Sequence, residues 1–187
     1  MIEKKFTINK LNIQDCLIIS PRIYKDDRGS FHELYNKDYF DKYLKKKYNF
    51  VQDNISFSKY KVLRGIHFQL NSPQGKLITL LRGIIFDVFV DIRPKSKTFK
   101  KWSSIVLNNR NHSSLWLPPG IAHGFCVLSQ TAIINYKVTN FYNPNDEYTV
   151  KWNDKKLNIK WPFNDPILSA KDKKYSISFN RALKIIQ

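Results

Sequence analysis

For most of its length the chain alternates apolar and polar positions over short runs, the period of two that marks half-buried strands. Runs rich in β-branched and aromatic residues predict strands at Val62–Gln69, Lys76–Leu81, Ile84–Ile92, Ser103–Leu107, Leu115–Leu117, His123–Leu128 and Ala132–Asn140. Turn signals separate them at Arg82-Gly83, Asn108-Asn109, Pro118-Pro119-Gly120 and Ser129-Gln130. One segment follows the helical period instead. Phe40, Tyr43 and Leu44 recur behind an N-cap at Asn36, which predicts a helix through Lys47. Many short strands at close spacing favour a sandwich or barrel.

The alternation also says what the barrel holds. Between Ile85 and Ile92, Phe86, Val88, Val90 and Ile92 share one face, and Ile85, Asp87, Phe89 and Asp91 share the other. His123, Phe125 and Val127 fall on one face of the later run, as do Ile134, Tyr136 and Val138 of the next. Titratable groups among apolar neighbours suit an interior that takes a ligand. Any one of them alone reads better as a hydrogen-bonded core residue.

Composition narrows the class. With 187 residues, 42% hydrophobic content and 6 Gly, the chain can close a substantial core, and one domain over 1–187 is expected. Apolar runs fall well short of the roughly 20 residues of a membrane span, and the N-terminus lacks a secretory pattern, so a soluble, cytoplasmic protein is expected. Cys16 and Cys126 read as free, buried thiols. The net charge of +17 raises nucleic-acid binding. Lysine far outnumbers arginine, however, in scattered groups such as Lys45–Lys47, Lys95–Lys101, Lys155–Lys160 and Lys171–Lys174, and no nucleic-acid motif is present. Neither a nucleic-acid nor a membrane partner is expected, while the positive field would draw in an anionic substrate.

Pro118-Pro119-Gly120-Ile121-Ala122-His123 fits the Pro-x-Gly-x-x-His pattern of the second cupin motif, in which a turn aims a histidine into a jelly-roll barrel. The first cupin motif is incomplete: His67 is present, but Gln69 stands where a second histidine would be, and no glutamate follows before Gly83. Too few ligands remain for a catalytic metal, and no cofactor is expected.

Ordered motifs then cover nearly the whole chain. They are Asp27–Glu33, Phe50–Asn54, Val62–Gln69, Gln74–Leu77, Asp87–Arg93, Leu115–Pro118, Ala122–Phe125, Tyr136–Thr139, Trp152–Asp154 and Leu168–Asp172. In these residues the chain resembles the dTDP-4-dehydrorhamnose 3,5-epimerases, metal-free members of the cupin superfamily. The resemblance implies an all-β, cupin-like jelly-roll barrel with a few short peripheral helices. It implies an isomerase that works as a homodimer on a dTDP-linked sugar, inverting C3 and C5 beside a C4 ketone.

Carried over by position, it makes His67 the general base, Tyr136 the acid on the opposite face of the sugar, Asp172 the partner that orients His67, and Lys76 the cation at the enolate oxygen. Those roles suit the chemistry, because a proton next to a ketone needs a base near neutral pKa and a donor at the developing oxyanion. The resemblance assigns substrate contacts to Arg28, Phe31, Glu33, Gln52, Asn54, Arg64, His123, Glu147 and Lys171. Phe141 is expected to stack on the base. His67 and Arg64 lie three positions apart, so a regular strand would point them to opposite faces; Gly65 suggests a bulge that brings both into one pocket. A single-carbon epimerase, a metal-dependent cupin and a binding module are the alternatives the sequence leaves open.

Overall fold

In the computed structural model, which describes residues 5–44 and 46–186, the two faces of the segment around Val88 enter two different cores. Ile85 and Phe89 pack inward between two sheets, while Val88, Val90 and Ile92 pack outward under the C-terminal segment. Asp87 and Asp91 share the inward face and are fully buried.

Strands are numbered in chain order. One antiparallel sheet runs β1 (Phe6–Lys10), β2 (Leu17–Pro21), β10 (Ser114–Leu117), β7 (Lys76–Arg82), β12 (Thr131–Val138), β5 (Gln52–Lys59). The facing sheet runs β13 (Glu147–Thr149), β6 (Leu63–Gln69), β11 (Ile121–Val127), β8 (Ile84–Asp91), β9 (Trp102–Asn108). Among the described residues a hairpin, β3 (Tyr24–Asp26) and β4 (Gly29–Phe31), pairs only with itself. Two packed antiparallel sheets with such crossovers form a jelly-roll barrel, the fold class expected from sequence.

Three layers of apolar packing hold it together. Ile78, Leu80, Leu115, Leu117 and Ile134 of one sheet meet Ile85, Phe89, Ile121, Phe125 and Val127 of the other. Helix α1 (Lys37–Tyr43) covers the outside of the six-stranded sheet, where its Phe40 gathers with Phe6, Leu77 and Trp116 of the strands. Helix α3 (Phe179–Ile186) covers the other sheet, with Phe179, Ala182 and Leu183 against Ile66, Phe68 and Val150. Each such buried Leu, Ile, Val or Phe side chain contributes about 1.5–3 kcal/mol.

Local signals explain the boundaries. The Asn36 side chain accepts a hydrogen bond from the Tyr39 amide, capping α1 at its start. The helix ends at Tyr43, short of Lys47, because Leu44 turns extended at ψ 141° and packs its side chain into the core. Lys45, one of the residues expected to continue it, lies outside the described set, as do Met1 to Lys4 and Gln187. Gly83 and Gly120 take left-handed φ of 96° and 85° at the expected turns. Among the described residues no helix is long and apolar enough to cross a membrane.

Candidate active site

Near one side of the barrel the apolar filling gives way to a cavity of about 330 Å³, within the range of small-molecule sites. Both sheets line it. The six-stranded sheet presents Gln52, Asn54 and Ser56 from β5, Lys76 and Ile78 from β7, and Ile134 and Tyr136 from β12. These form one inward ladder, since Tyr136 lies opposite Asn54 on one side and Ile78 on the other. The five-stranded sheet presents Arg64, His67 and Gln69 from β6, His123 and Phe125 from β11, and Glu147 from β13.

Gly65 makes the second set possible. His123 pairs with His67 and Phe125 with Arg64, so Gly124 alone stands opposite both Gly65 and Ile66. The extra residue is the expected bulge, and it brings Arg64 and His67 to the same cavity. A side chain at position 65 could not be accommodated: its Cβ would lie 2.5 Å from Gly124 Cα, and φ there is 123°.

His67 Nε2 lies 2.7 Å from Asp172 Oδ1, at the start of α2 (Ala170–Tyr175). Burial opposes the charge on Asp172, but the bond from His67, the Ser169 hydroxyl and nearby Lys171 together hold its carboxyl below the usual range. With the Nε2 proton donated to that carboxylate, Nδ1 carries the lone pair, and among the described residues it has no partner. Lys76 makes no ion pair or hydrogen bond with a described residue, and burial pulls its ammonium down to about 8, with Glu147 acting in the opposite sense. Burial raises the Tyr136 phenol, against the nearby Arg64 cation. Tyr136 therefore stays neutral and able to donate at physiological pH.

At the mouth, Lys171 pairs with Glu147 and donates to the Tyr142 hydroxyl at 3.3 Å; that hydroxyl in turn lies 3.2 Å from Glu147. A smaller recess lined by Arg64, His67, Tyr142, Lys171 and Asp172 continues from there.

Not every residue expected at the site is gathered in it. Phe141 points away and is 69% exposed, while its neighbour Tyr142 lines the cavity. The aromatic that faces the cavity is Tyr142, because the loop after β12 turns that side chain inward. Arg28, Phe31 and Glu33 also lie outside the cavity. Arg28 pairs with Asp26, Glu33 with Lys5, and Phe31 is 67% exposed on the separate hairpin. Gln69, standing where metal cupins place a histidine, is buried and clamps the loop: it donates to Ser72 and Phe141 carbonyls and accepts from the Asn143 amide. Sequence reading missed Ser56, Gln74 and Tyr142 as lining residues; it placed Phe125 and Asp87 on interior faces but not the pairing of Asp87, whose Oδ2 lies 2.8 Å from His123 Nε2.

A two-sheet barrel that carries a carboxylate-backed histidine on one wall and a phenol on the other has the parts of an epimerase that moves protons. The chain belongs to the dTDP-4-dehydrorhamnose 3,5-epimerase family, whose sequence profile matches residues 10–178. The dTDP-4-dehydrorhamnose 3,5-epimerase of Salmonella typhimurium is 48% identical over 165 residues, 87% of this chain and 90% of that protein. The fold matches a Legionella pneumophila dTDP-6-deoxy-D-glucose-3,5-epimerase in complex with dTDP-4-keto-L-rhamnose, at TM-score 0.89 and 40% identity over 97% of this chain and 95% of that one. A 3'-monoepimerase from Streptomyces bikiniensis in complex with dTDP-quinovose matches at TM-score 0.86 and 29% identity, over 94% of this chain and 89% of that one.

Proposed function

We propose that the chain inverts C3 and C5 of dTDP-4-dehydro-6-deoxy-D-glucose to give dTDP-4-dehydro-L-rhamnose. The observation that carries this is the placement of His67 and Tyr136 on opposing sheets of one cavity. The C–H bond next to the ketone breaks, its proton goes to His67 Nδ1, and the electron pair moves to the carbonyl oxygen, which becomes an enolate. Tyr136 then returns a proton from the other wall, so the carbon inverts. Lys76 stabilises the enolate charge, and Asp172 steadies the imidazolium. Arg64, His123, Glu147 and Lys171 hold the sugar and pyrophosphate, and Tyr142 stacks on the base.

The reaction is placed in the cytoplasm, a setting in keeping with two free, buried cysteines. A homodimer is the proposed assembly. Ile55 and Phe57 are 69% and 56% exposed on edge strand β5, an apolar surface that a second copy would cover. Arg28 and Phe31 of the hairpin, and Glu33 just after it, would then be completed against that copy.

The direct test supplies the 4-keto sugar nucleotide in heavy water and follows the product by NMR. Deuterium at both C3 and C5 is expected. Label at one carbon alone would assign a single-carbon epimerase, the activity named for the Streptomyces bikiniensis relative.

A further inference from the structure

The cavity holds a second histidine–carboxylate pair, directly beside the first. His123 and His67 are cross-strand partners on β11 and β6, and both line the cavity. Each gives Nε2 to a buried carboxylate: His67 to Asp172 at 2.7 Å and His123 to Asp87 at 2.8 Å. Two adjacent imidazoles cannot both be charged without mutual repulsion, so their partners decide which one carries the proton.

The two carboxylates differ in what surrounds them. Asp172 sits at the mouth near Lys171, with the Ser169 hydroxyl at hand, and is well supported as an anion. Asp87 is fully buried inside β8, and its second oxygen, Oδ1, has no partner among the described residues. A lone anion there is costly, whereas a pair that holds one additional proton is neutral overall. The other titratable groups around this pair are His67 and Arg64 on β6, Glu147 on β13, Lys76 and Tyr136 across the cavity, and Cys16 behind Asp87. None of them is hydrogen-bonded to Asp87.

We propose that Asp87 is a positioning residue that keeps His123 protonated, so that of the two neighbouring imidazoles His67 is the neutral base and His123 the cationic hydrogen-bond donor to a substrate oxygen. The proposal rests on the epimerase reading of the same cavity. His123 loses no proton in the cycle: it donates a hydrogen bond from Nδ1 while the abstracted proton travels to His67. Its charge also opposes a second positive charge on the adjacent His67, which leaves that imidazole free to act as the base. Pairs of titratable groups driven apart by their surroundings are how one site holds both a base and an acid at one pH.

Two measurements test it. In the wild-type chain labelled with ¹⁵N-histidine, His123 is assigned by its absence in His123→Asn. It should carry protons on both nitrogens at pH 7 and lose one at higher pH than His67. In Asp87→Asn, kcat should fall by about tenfold or more with KM little changed, and the acid limb of kcat/KM should move to higher pH as His67 loses its charged neighbour. A role for Asp87 in packing alone would leave that limb in place. His123 neutral at pH 7 in the wild type would overturn the proposal, as would an unmoved acid limb in a folded Asp87→Asn. The titration is read without substrate, so it can fail while the wild-type chain still epimerises. A wild type with no turnover would instead remove the reading of the cavity.

Discussion

Asp87 and Asp91 stand four residues apart on one strand, face the same interior and are both fully buried, yet they belong to different kinds of region. Asp91 is saturated. Arg93 bonds to both of its oxygens, the Arg93 amide to one, and the Ser96 and Thr98 hydroxyls reach it at 2.6 Å. The same Arg93 donates to the Gln14 carbonyl and so ties the loop before β2 to the end of β8. Among the described residues Asp87 has one partner, a titratable histidine, and one bare oxygen. Around it, among the described residues, Lys76 makes no ion pair and neither His67 nor His123 has a protein partner for Nδ1. Burial therefore does not separate a structural carboxylate from one that serves the site. The separation lies in how much hydrogen-bonding capacity the fold leaves open to a ligand.

The contrast breaks if substitutions in the open region unfold the protein or those in the saturated region only slow it. His67→Asn is expected to have the largest effect, lowering kcat by about 10² to 10⁴-fold while dTDP affinity by calorimetry stays near the wild-type value. Asp91→Asn should do the reverse. It leaves the Arg93 charge with only the longer pair to Asp15 at 3.7 Å, and urea unfolding should show a loss of about 3 kcal/mol, against a much smaller loss for Asp87→Asn. The saturated region should also be silent in the pH profile, whereas the Lys76 ammonium, held at about 8, should give free-enzyme kcat/KM an alkaline limb. The sign follows from the protonated form being the active one, so activity falls as pH rises through that value. Lys76→Arg should carry the limb to higher pH. The smallest effect sharpens the site's edge: Tyr142→Ala should raise KM by roughly tenfold, about the worth of one aromatic stack, and Phe141→Ala should leave it unchanged.

Much of this arrangement was legible in the sequence, for a physical reason. The period of two in Ile85–Ile92 needs only the pleat, and it placed all eight side chains on the faces they occupy. Gly65 marked the break in that period, and the break brings Arg64 and His67 together. Where no period runs, residue order does not reveal direction. Phe141 and Tyr142 are adjacent aromatics in a loop, and the choice between them is made by Gln69, which pins the chain on either side. Strand β5 was not read as a strand because its alternation is polar inside (Gln52, Asn54, Ser56) and apolar outside (Ile55, Phe57), the inverse of the usual pattern. That inversion is itself a mark of a strand lining a wet cavity and presenting an outer apolar edge. The difference between Asp87 and Asp91 could not be read at all, because it depends on partners supplied by the 93–98 loop and by β11.

The central claim is that base and acid work from opposite walls, and Tyr136→Phe in heavy water tests it most directly. His67 would still remove the proton and exchange it with solvent, but nothing on the far wall would return one. Deuterium should therefore enter the substrate with its configuration kept, and exchange should outlast inversion. Inversion at the wild-type rate in Tyr136→Phe, or inversion without deuterium in the wild type, would contradict the account.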